Sequence, residues 1–259
     1  MAIAIRTITT LAAPFTQAQL STALQAAFIN AGFSSPFDSY TSGTDLFLIY
    51  AFVTDAAQNF GTTYLRVRIS NTFIISQTLF STWNAATDTG TNASAEVAYT
   101  TLILTASVTF TALNASGELR LVLVSQGALF LPLGMISPVT RRSSWNLANW
   151  NWGFIFTLNT MLVLRSAGLN QYSNTENDIA LAGSSRLSIA NVQDIERDLI
   201  TGLILLNHSN QGFSGKTSDD IAITASSGSS RYDIFTRSGT SQQFLLINPG
   251  AGGLAVRIV

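Results

Sequence analysis

The chain has 259 residues, of which 47% are hydrophobic and only 10% are charged, and its formal net charge is -1. In soluble proteins about a quarter of all residues are ordinarily charged. This chain therefore has little electrostatic repulsion to keep its copies apart. One lysine, Lys216, and scattered arginines argue against a nucleic-acid-binding protein, which needs clustered cations, and the absence of cysteine excludes disulfides and thiolate metal sites.

The first predicted element is a helix over residues 17–31. Thr16 and Gln19 have the spacing of a capping box, in which both side chains bind free backbone amides at the helix start. Gly32 is placed to end the helix, because glycine adopts the left-handed conformation without steric cost. An apolar stripe follows the cap at a spacing of four residues: Leu20, Leu24 and Phe28.

The chain after this helix is predicted to form strands. Residues 45–54 are almost continuously apolar, which is typical of a strand buried on both faces, whereas residues 63–70 alternate between polar and apolar. The turn residues at 114–117 predict a hairpin between strands at 108–113 and 119–124. Further strands are predicted at 73–80 and 99–110, and a polar surface loop at 84–95.

A second β module is predicted from residue 141 onward, so that the domains are residues 1–140 and 141–259. Short strands at a spacing of about ten residues, separated by turn signals, are typical of a sandwich or barrel. The predicted fold is therefore mainly β, with two β-sandwich or barrel-like modules and one N-terminal α-helix. The strands of the second module are predicted at 153–165, 199–206, 221–225, 232–236, 244–248 and 254–259, and a short helix at 189–198.

Neither a membrane span nor a secretion signal is predicted. The most apolar stretch, residues 119–136, is interrupted by Arg120 and Pro132, and it falls short of the roughly 20 apolar residues that a membrane helix needs. The first fifteen residues have no basic segment ahead of an apolar one. We therefore expect the chain to fold in the cytoplasm.

Side chains that could carry catalysis are few. His208 is the only histidine, and no G-x-S-x-G motif accompanies it. The alternating carboxylates of the segment 194–198 and those of Asp219, Asp220 and Asp233 are the only pairs available for cleaving a glycan, and no motif brings them together. We predict no enzyme activity, no catalytic residues, no metal site and no cofactor.

The tryptophan-rich segment is the most distinctive local feature. Trp145, Trp150 and Trp152 alternate with amide side chains that include Asn149 and Asn151. Flat indole rings beside amides suit a protein interface, where tryptophan anchors are enriched, and they also suit stacking on a sugar ring. A buried core beneath a loop is the third interpretation. These five residues are the predicted interface or glycan site.

Three stretches resemble virion proteins of tailed bacteriophages, particularly those of cyanophage-like genomes. They are VTFTALNASGELRLVLVSQGALFLPLGMISP, the following NWNWGFIF, and the C-terminal FLLINPGAGGLAVRIV. The resemblance implies a structural subunit of a tail, baseplate or fibre. Its expected partners are copies of itself and other virion proteins, and its expected location is the virion, which is assembled in the host cytoplasm.

Two other roles compete with this one. A lectin-like receptor-binding module of a phage fibre would use the tryptophan-rich segment to bind a host surface glycan. The other alternative is a capsid decoration protein. The low content of charged residues favours assembly, because a surface without repelling charges is more readily covered by neighbouring subunits.

Overall fold

The computed structural model describes residues 4–53, 62–80, 82–91, 93, 96–115, 119–136, 140–141, 154–156, 161–163, 179–181, 199–201, 204–208, 212–216, 218–224, 229–248 and 253–259. This part of the chain is mainly β and contains one α-helix, as the sequence predicts. The chain forms two compact units. The helix-bearing unit spans Ile5–Ser137 and Asn146–Ser173, and the C-terminal unit spans Met1–Ala4, Pro138–Trp145 and Asn174–Val259.

Within the described ranges the elements are short strands, with one helix near the start. In order they are β1 (Ile5–Leu11), α1 (Gln17–Asn30), β2 (Asp38–Ser42), β3 (Asp45–Val53), β4 (Thr62–Ile69), β5 (Ile75–Phe80), β6 (Thr82–Asn84), β7 (Thr89–Thr91), β8 (Val97–Ala98), β9 (Val108–Ala115), β10 (Leu119–Gln126), β11 (Leu129–Ile136), β12 (Thr140–Arg141), β13 (Phe154–Phe156), β14 (Met161–Val163), β15 (Ile179–Leu181), β16 (Leu199–Thr201), β17 (Ile204–His208), β18 (Gly212–Lys216), β19 (Ile221–Thr224), β20 (Ile234–Thr236), β21 (Gln243–Asn248) and β22 (Gly253–Arg257).

All strand pairs in the described residues are antiparallel. The helix-bearing unit has a six-stranded sheet in the order β1-β9-β10-β11-β13-β14, a five-stranded sheet in the order β2-β3-β4-β5-β8, and the hairpin β6-β7. The C-terminal unit has a four-stranded sheet, β12-β18-β17-β15, and a five-stranded sheet, β16-β19-β22-β21-β20.

Helix α1 forms where the sequence places it. The hydroxyl of Thr16 accepts a hydrogen bond from the amide of Gln19 at 3.2 Å, and the side chain of Gln19 accepts one from the amide of Thr16 at 2.8 Å. Gly32 has a φ of +91°, a left-handed conformation that ends the helix after Asn30. The predicted capping box and helix end are both confirmed.

The core of the helix-bearing unit lies between its two large sheets and α1. Alternate residues of β4 are buried, which confirms the predicted pattern, and they share one core with alternate residues of β9 and β10 and with the apolar stripe of α1. Phe28 of α1 stacks on Tyr50 of β3 with ring centroids 4.3 Å apart. The predicted hairpin is also confirmed, because β9 and β10 pair along their length.

A buried glutamine joins the two large sheets. Gln77 of β5 is fully buried, and its amide nitrogen donates to the carbonyl of Pro132 at 2.8 Å while its carbonyl accepts from the amide of Gly134 at 3.1 Å. Gly134 lies in β11 with a φ of +107°, which is open to glycine and strained for other residues. The hydroxyl of Tyr99 also donates to the carbonyl of Pro132, at 2.6 Å.

Residues 99–107 are not a strand, and the prediction of one over 99–110 is wrong before Val108. The buried side chain of Gln126 accepts from the amide of Ile103 at 2.6 Å and donates to the carbonyls of Ile103 and Ala106, both at 2.7 Å. These bonds satisfy backbone groups that a strand ladder would otherwise bind. The segment therefore turns over the end of β10.

The predicted surface loop at 84–95 contains regular structure. Its first part forms the hairpin β6-β7, in which Thr82 pairs with Thr91 and Asn84 with Thr89. Trp83 at the centre of β6 is buried against Ile49 of β3. The polar loop forms a hairpin, and burial of the Trp83 indole on the neighbouring sheet stabilises it.

The strands after residue 141 do not all belong to one unit. β13 pairs with β11 through Phe154 and Ile136, and β14 pairs with β13, so both extend the six-stranded sheet. The predicted boundary between residues 140 and 141 stays a prediction, because residues 142–153 lie outside the described part of the chain. The predicted short helix at 189–198 lies outside it as well.

A prediction for stability follows from Tyr50. Its side chain is fully buried, its hydroxyl has no hydrogen-bond partner within the described residues, and burial raises the pKa of Tyr50 above its ordinary value. Removing an unpaired buried hydroxyl removes a desolvation cost, so we expect Tyr50→Phe to raise the free energy of unfolding by about 1 kcal/mol in urea titrations. Tyr50→Ala, which removes the ring, should lower it by about 3 to 5 kcal/mol. A loss of stability in Tyr50→Phe would show that the hydroxyl is bound.

Candidate functional site

The predicted interface or glycan site lies outside the part of the chain that the structure describes. This holds for Trp145, Trp150 and Trp152 and for Asn149 and Asn151. The role assigned to these five residues therefore stays a prediction, and candidate sites are drawn from the described residues.

Of the described carboxylates considered for catalysis, Asp219 is exposed, while Asp220 and Asp233 each bind a group of the chain. Oδ1 of the buried Asp220 lies 3.3 Å from Nη1 of Arg257, and Asp233 accepts a hydrogen bond from a neighbouring backbone amide at 2.7 Å. The backbone of His208 ends β17, and the segment 194–198 lies outside the described residues. Within the described ranges, no three His, Cys, Asp or Glu side chains form a group that could hold a metal.

Strand β1 is the first candidate site, because it forms an exposed edge of the six-stranded sheet. Five of its seven residues, IRTITTL, are Ile or Thr, and β-branched residues favour strands. Ile5 is 67% exposed and Ile8 is 54% exposed. Arg6 is its only charged residue. The strand therefore presents apolar side chains and little charge to solvent.

The backbone of β1 has one free edge. Its seven residues pair with β9, from Ile5 opposite Asn114 to Leu11 opposite Val108. In the described part of the chain, β1 forms no hydrogen bond except those of this pairing, and it is the terminal strand of its sheet. In an antiparallel pair only every second residue turns its N–H and C=O groups toward the partner strand. The remaining groups of β1 point away from β9 and are open to another strand.

Other sheet edges in the described residues are shorter. The strands at those edges have two to five residues, and β2, the longest of them, begins with the charged Asp38. Proteins commonly blunt an edge by shortness, charge, proline or a bulge. The single charge of Arg6 is the only such device in β1. β1 is therefore the edge best suited to strand addition.

The second candidate is a polar groove on the outer face of the five-stranded sheet, with a cavity volume of about 360 Å³. Arg68 of β4 lines this groove together with Asp45 and Glu96. Nη2 of Arg68 is 2.6 Å from Oδ2 of Asp45, and Nη1 is 3.4 Å from Oε1 of Glu96. The hydrogen bond to Asp45 raises the pKa of Arg68 above its ordinary value.

The polar groups of this groove already bind one another. Oδ1 of Asp45 accepts from the amide of Asn71 at 3.2 Å, Oε1 of Glu96 accepts from the hydroxyl of Ser76 at 2.7 Å, and Oε2 of Glu96 is 3.2 Å from Nη2 of Arg66. Each of the four carboxylate oxygens thus has a partner in the chain. The network ties Glu96, next to β8, to β4 and β5, and it supports the sheet rather than a ligand.

An aromatic cluster lies beside the groove. The rings of Tyr40 and Phe47 stack at 4.6 Å, and Trp83 contacts Phe80 edge to face at 5.2 Å. The indole nitrogen of Trp83 donates to Oδ2 of Asp38 at 2.7 Å. A sugar stacks on an open ring face, and these faces are turned to other rings. The cluster therefore packs the β6-β7 hairpin onto the sheet.

Neither the search for membrane-spanning helices nor the comparison with known proteins points to another site. No helix in the described ranges is long and apolar enough to cross a membrane. No protein-family model matches the chain, and no curated protein matches it. Among the described residues, the exposed edge of β1 remains the candidate functional site.

Strand β1 is not among the strands predicted from the sequence. The available signal was its run of β-branched residues from Ile5 to Thr10, which ends before Pro14. This run does not show a clear alternation of polar and apolar residues, because the strand is exposed on most of its length. Strands exposed on most of their length lack the periodic pattern by which buried strands are recognised.

Proposed function

We propose that the chain is a non-catalytic structural subunit of a bacteriophage virion, in a tail, baseplate or fibre assembly. Its neighbours are copies of itself and other virion proteins, and it acts without a cofactor. Assembly occurs through β1, to whose free edge an adjacent subunit adds a strand.

The exposed edge of β1 is the observation that supports this proposal. Ile5 and Ile8 lie more than half exposed on a strand whose second edge has no partner in the described residues. Strand addition supplies backbone hydrogen bonds to such an edge and buries the side chains beside it, at about 25 cal/mol for each Å² of apolar surface removed from water.

The low charge of the chain supports assembly as well. Charged residues make up 10% of the sequence and the net charge is -1, so copies approach one another without a long-range barrier. The three stretches that resemble virion proteins of tailed bacteriophages indicate the kind of assembly.

Ile8→Lys tests this proposal. Lysine on an edge strand opposes pairing because its ammonium loses water on burial, and we expect the variant to dissociate at a protein concentration at least about tenfold higher than the wild type, a difference of roughly 1.4 kcal/mol. Light scattering coupled to gel filtration measures the masses. Circular dichroism should show the same fold in both proteins, since position 8 is 54% exposed.

Ile103→Lys is the matched control. Ile103 is 56% exposed and lies in the segment between β8 and β9, outside any strand, so its replacement should leave assembly unchanged. Particles purified from cells that produce the phage should contain the wild-type chain and exclude the Ile8→Lys chain. Equal assembly of Ile8→Lys and the wild type would overturn the role of β1, and absence of the wild-type chain from particles would overturn the virion assignment.

A further inference from the structure

We infer that the strand added to β1 is β1 of a second copy of the chain, antiparallel to the first about a two-fold axis at Ile8. The inference rests on the proposed function, because it names the partner of the same edge. The result would be one continuous sheet that runs through both copies, with the two β1 strands at its centre.

The register follows from the length of the strand. Two-fold symmetry allows antiparallel pairing of identical strands, and residues directly opposite one another place their side chains on the same face of a sheet. An axis at Ile8, the central residue of Ile5–Leu11, pairs every residue of the strand. An axis at Thr7 or Thr9 leaves two residues of each strand unpaired.

The side chains fit this register. Thr9 lies opposite Phe110 in the sheet, and Phe110 belongs to the core beside α1, so Ile5 and Leu11 project from the same face as the core residues. The register places Ile5 opposite Leu11 of the second copy on that face. On the other face Ile8 lies opposite Ile8 of the second copy. Exposed apolar side chains are thus covered on both faces of the sheet.

The charges fit as well. Arg6, the only charged residue of β1, lies opposite Thr10 of the second copy. Like charges directly opposite one another destabilise a sheet, and an axis at Arg6 would create such a pair. A different protein as partner would have no need of this symmetry, whereas a second copy requires a strand that tolerates its own reversed sequence, as β1 does.

Single cysteine variants test the inference, because the chain has no cysteine of its own. In the proposed register the thiols of Ile8→Cys lie opposite each other, with β-carbons about 4.5 to 5.5 Å apart, close to the separation that a disulfide spans. Paired thiols have an effective concentration in the mM range, so Ile8→Cys should form disulfide dimers at least about tenfold faster than Ile103→Cys, which reports random collisions. Non-reducing gel electrophoresis after mild oxidation measures the rate.

The register has its own readout. Thr7 lies opposite Thr9 of the second copy, so a mixture of Thr7→Cys and Thr9→Cys should form a disulfide heterodimer, while each alone should react as slowly as Ile103→Cys. Rapid dimers from Thr7→Cys or Thr9→Cys alone would overturn the axis at Ile8. An oligomer that Ile8→Lys disrupts but in which Ile8→Cys forms no disulfide would overturn pairing of β1 with β1 and leave the proposed function standing, with another strand of the second copy added to β1. A wild-type chain that stays monomeric would overturn self-pairing by itself, and failure to find the chain in particles would overturn the proposed function.

Discussion

Gly134→Ala is expected to prevent stable folding of the helix-bearing unit. A β-carbon at this position would lie 2.2 Å from the backbone carbonyl oxygen of Arg120 on β10, and a backbone atom within a sheet cannot move aside as a side chain does. The φ of +107° adds strain for any residue other than glycine. Together we expect a loss on the order of 4 kcal/mol or more, a large share of the stability of a typical domain. Urea unfolding followed by circular dichroism measures it.

Gly127→Ala is the matched control for this substitution. Gly127 also has a positive φ, of +57°, but no atom lies within 4 Å of the position that its β-carbon would take. Its replacement should therefore lower the free energy of unfolding by only about 1 kcal/mol, which is the strain of the left-handed conformation for alanine. Equal stability of the two variants would show that β10 and β11 are not as close at Gly134 as the structure places them. Because β1 and β11 belong to one sheet, a failure at Gly134 should also abolish assembly.

Gln77→Leu is expected to destabilise the helix-bearing unit, because it breaks the bridge between the two large sheets. The leucine keeps the volume of the side chain and removes the groups that bind the amide of Gly134 and the carbonyl of Pro132. Each buried backbone group left without its bond costs about 1 to 3 kcal/mol, although Tyr99 still donates to Pro132. We expect a loss of about 2 to 4 kcal/mol in the free energy of unfolding.

Gln25→Leu makes the same chemical change on α1, where the side chain is half-buried and its amide donates to the hydroxyl of Ser21 at 3.3 Å. We expect this control to change stability by less than about 0.5 kcal/mol. Tyr99→Phe combined with Gln77→Leu should cost less than the two single changes together, because both side chains serve one network. Additive losses, or a Gln77→Leu variant as stable as the control, would contradict the proposed bridge between the sheets.

Features with local causes were predicted from the sequence. The capping box of Thr16 and Gln19, the helix end at Gly32 and the β9-β10 hairpin depend on residues close together in the chain. The alternation of β4 was predicted for the same reason, because a strand that is buried on one face alternates between apolar and polar residues.

Features that depend on distant residues were not predicted. Whether residues 99–107 pair in a sheet is decided by Gln126, and the position of Trp83 is decided by β3. The importance of Gln77 depends on Gly134, 57 residues further along the chain. No local sequence pattern predicts such contacts, so only the folded structure shows them.

The candidate site shows the same limit. The low charge of the sequence favours the proposed assembly, but it does not show which surface is open. The exposed edge of β1 follows from its place as the terminal strand of the sheet, which is set by β9, about 100 residues away in the chain. The tryptophan-rich segment was recognised from composition, and its role stays a prediction.

Sedimentation velocity of the purified wild-type chain over a dilution series tests assembly through β1 most directly. At concentrations of about 10 μM and above we expect a species of at least twice the monomer mass, which dissociates on dilution as an interface of micromolar affinity does. Ile8→Lys should need a protein concentration at least about tenfold higher than the wild type to reach the same mass. A wild-type chain that remains monomeric at every concentration, with its fold intact, would contradict self-assembly through β1.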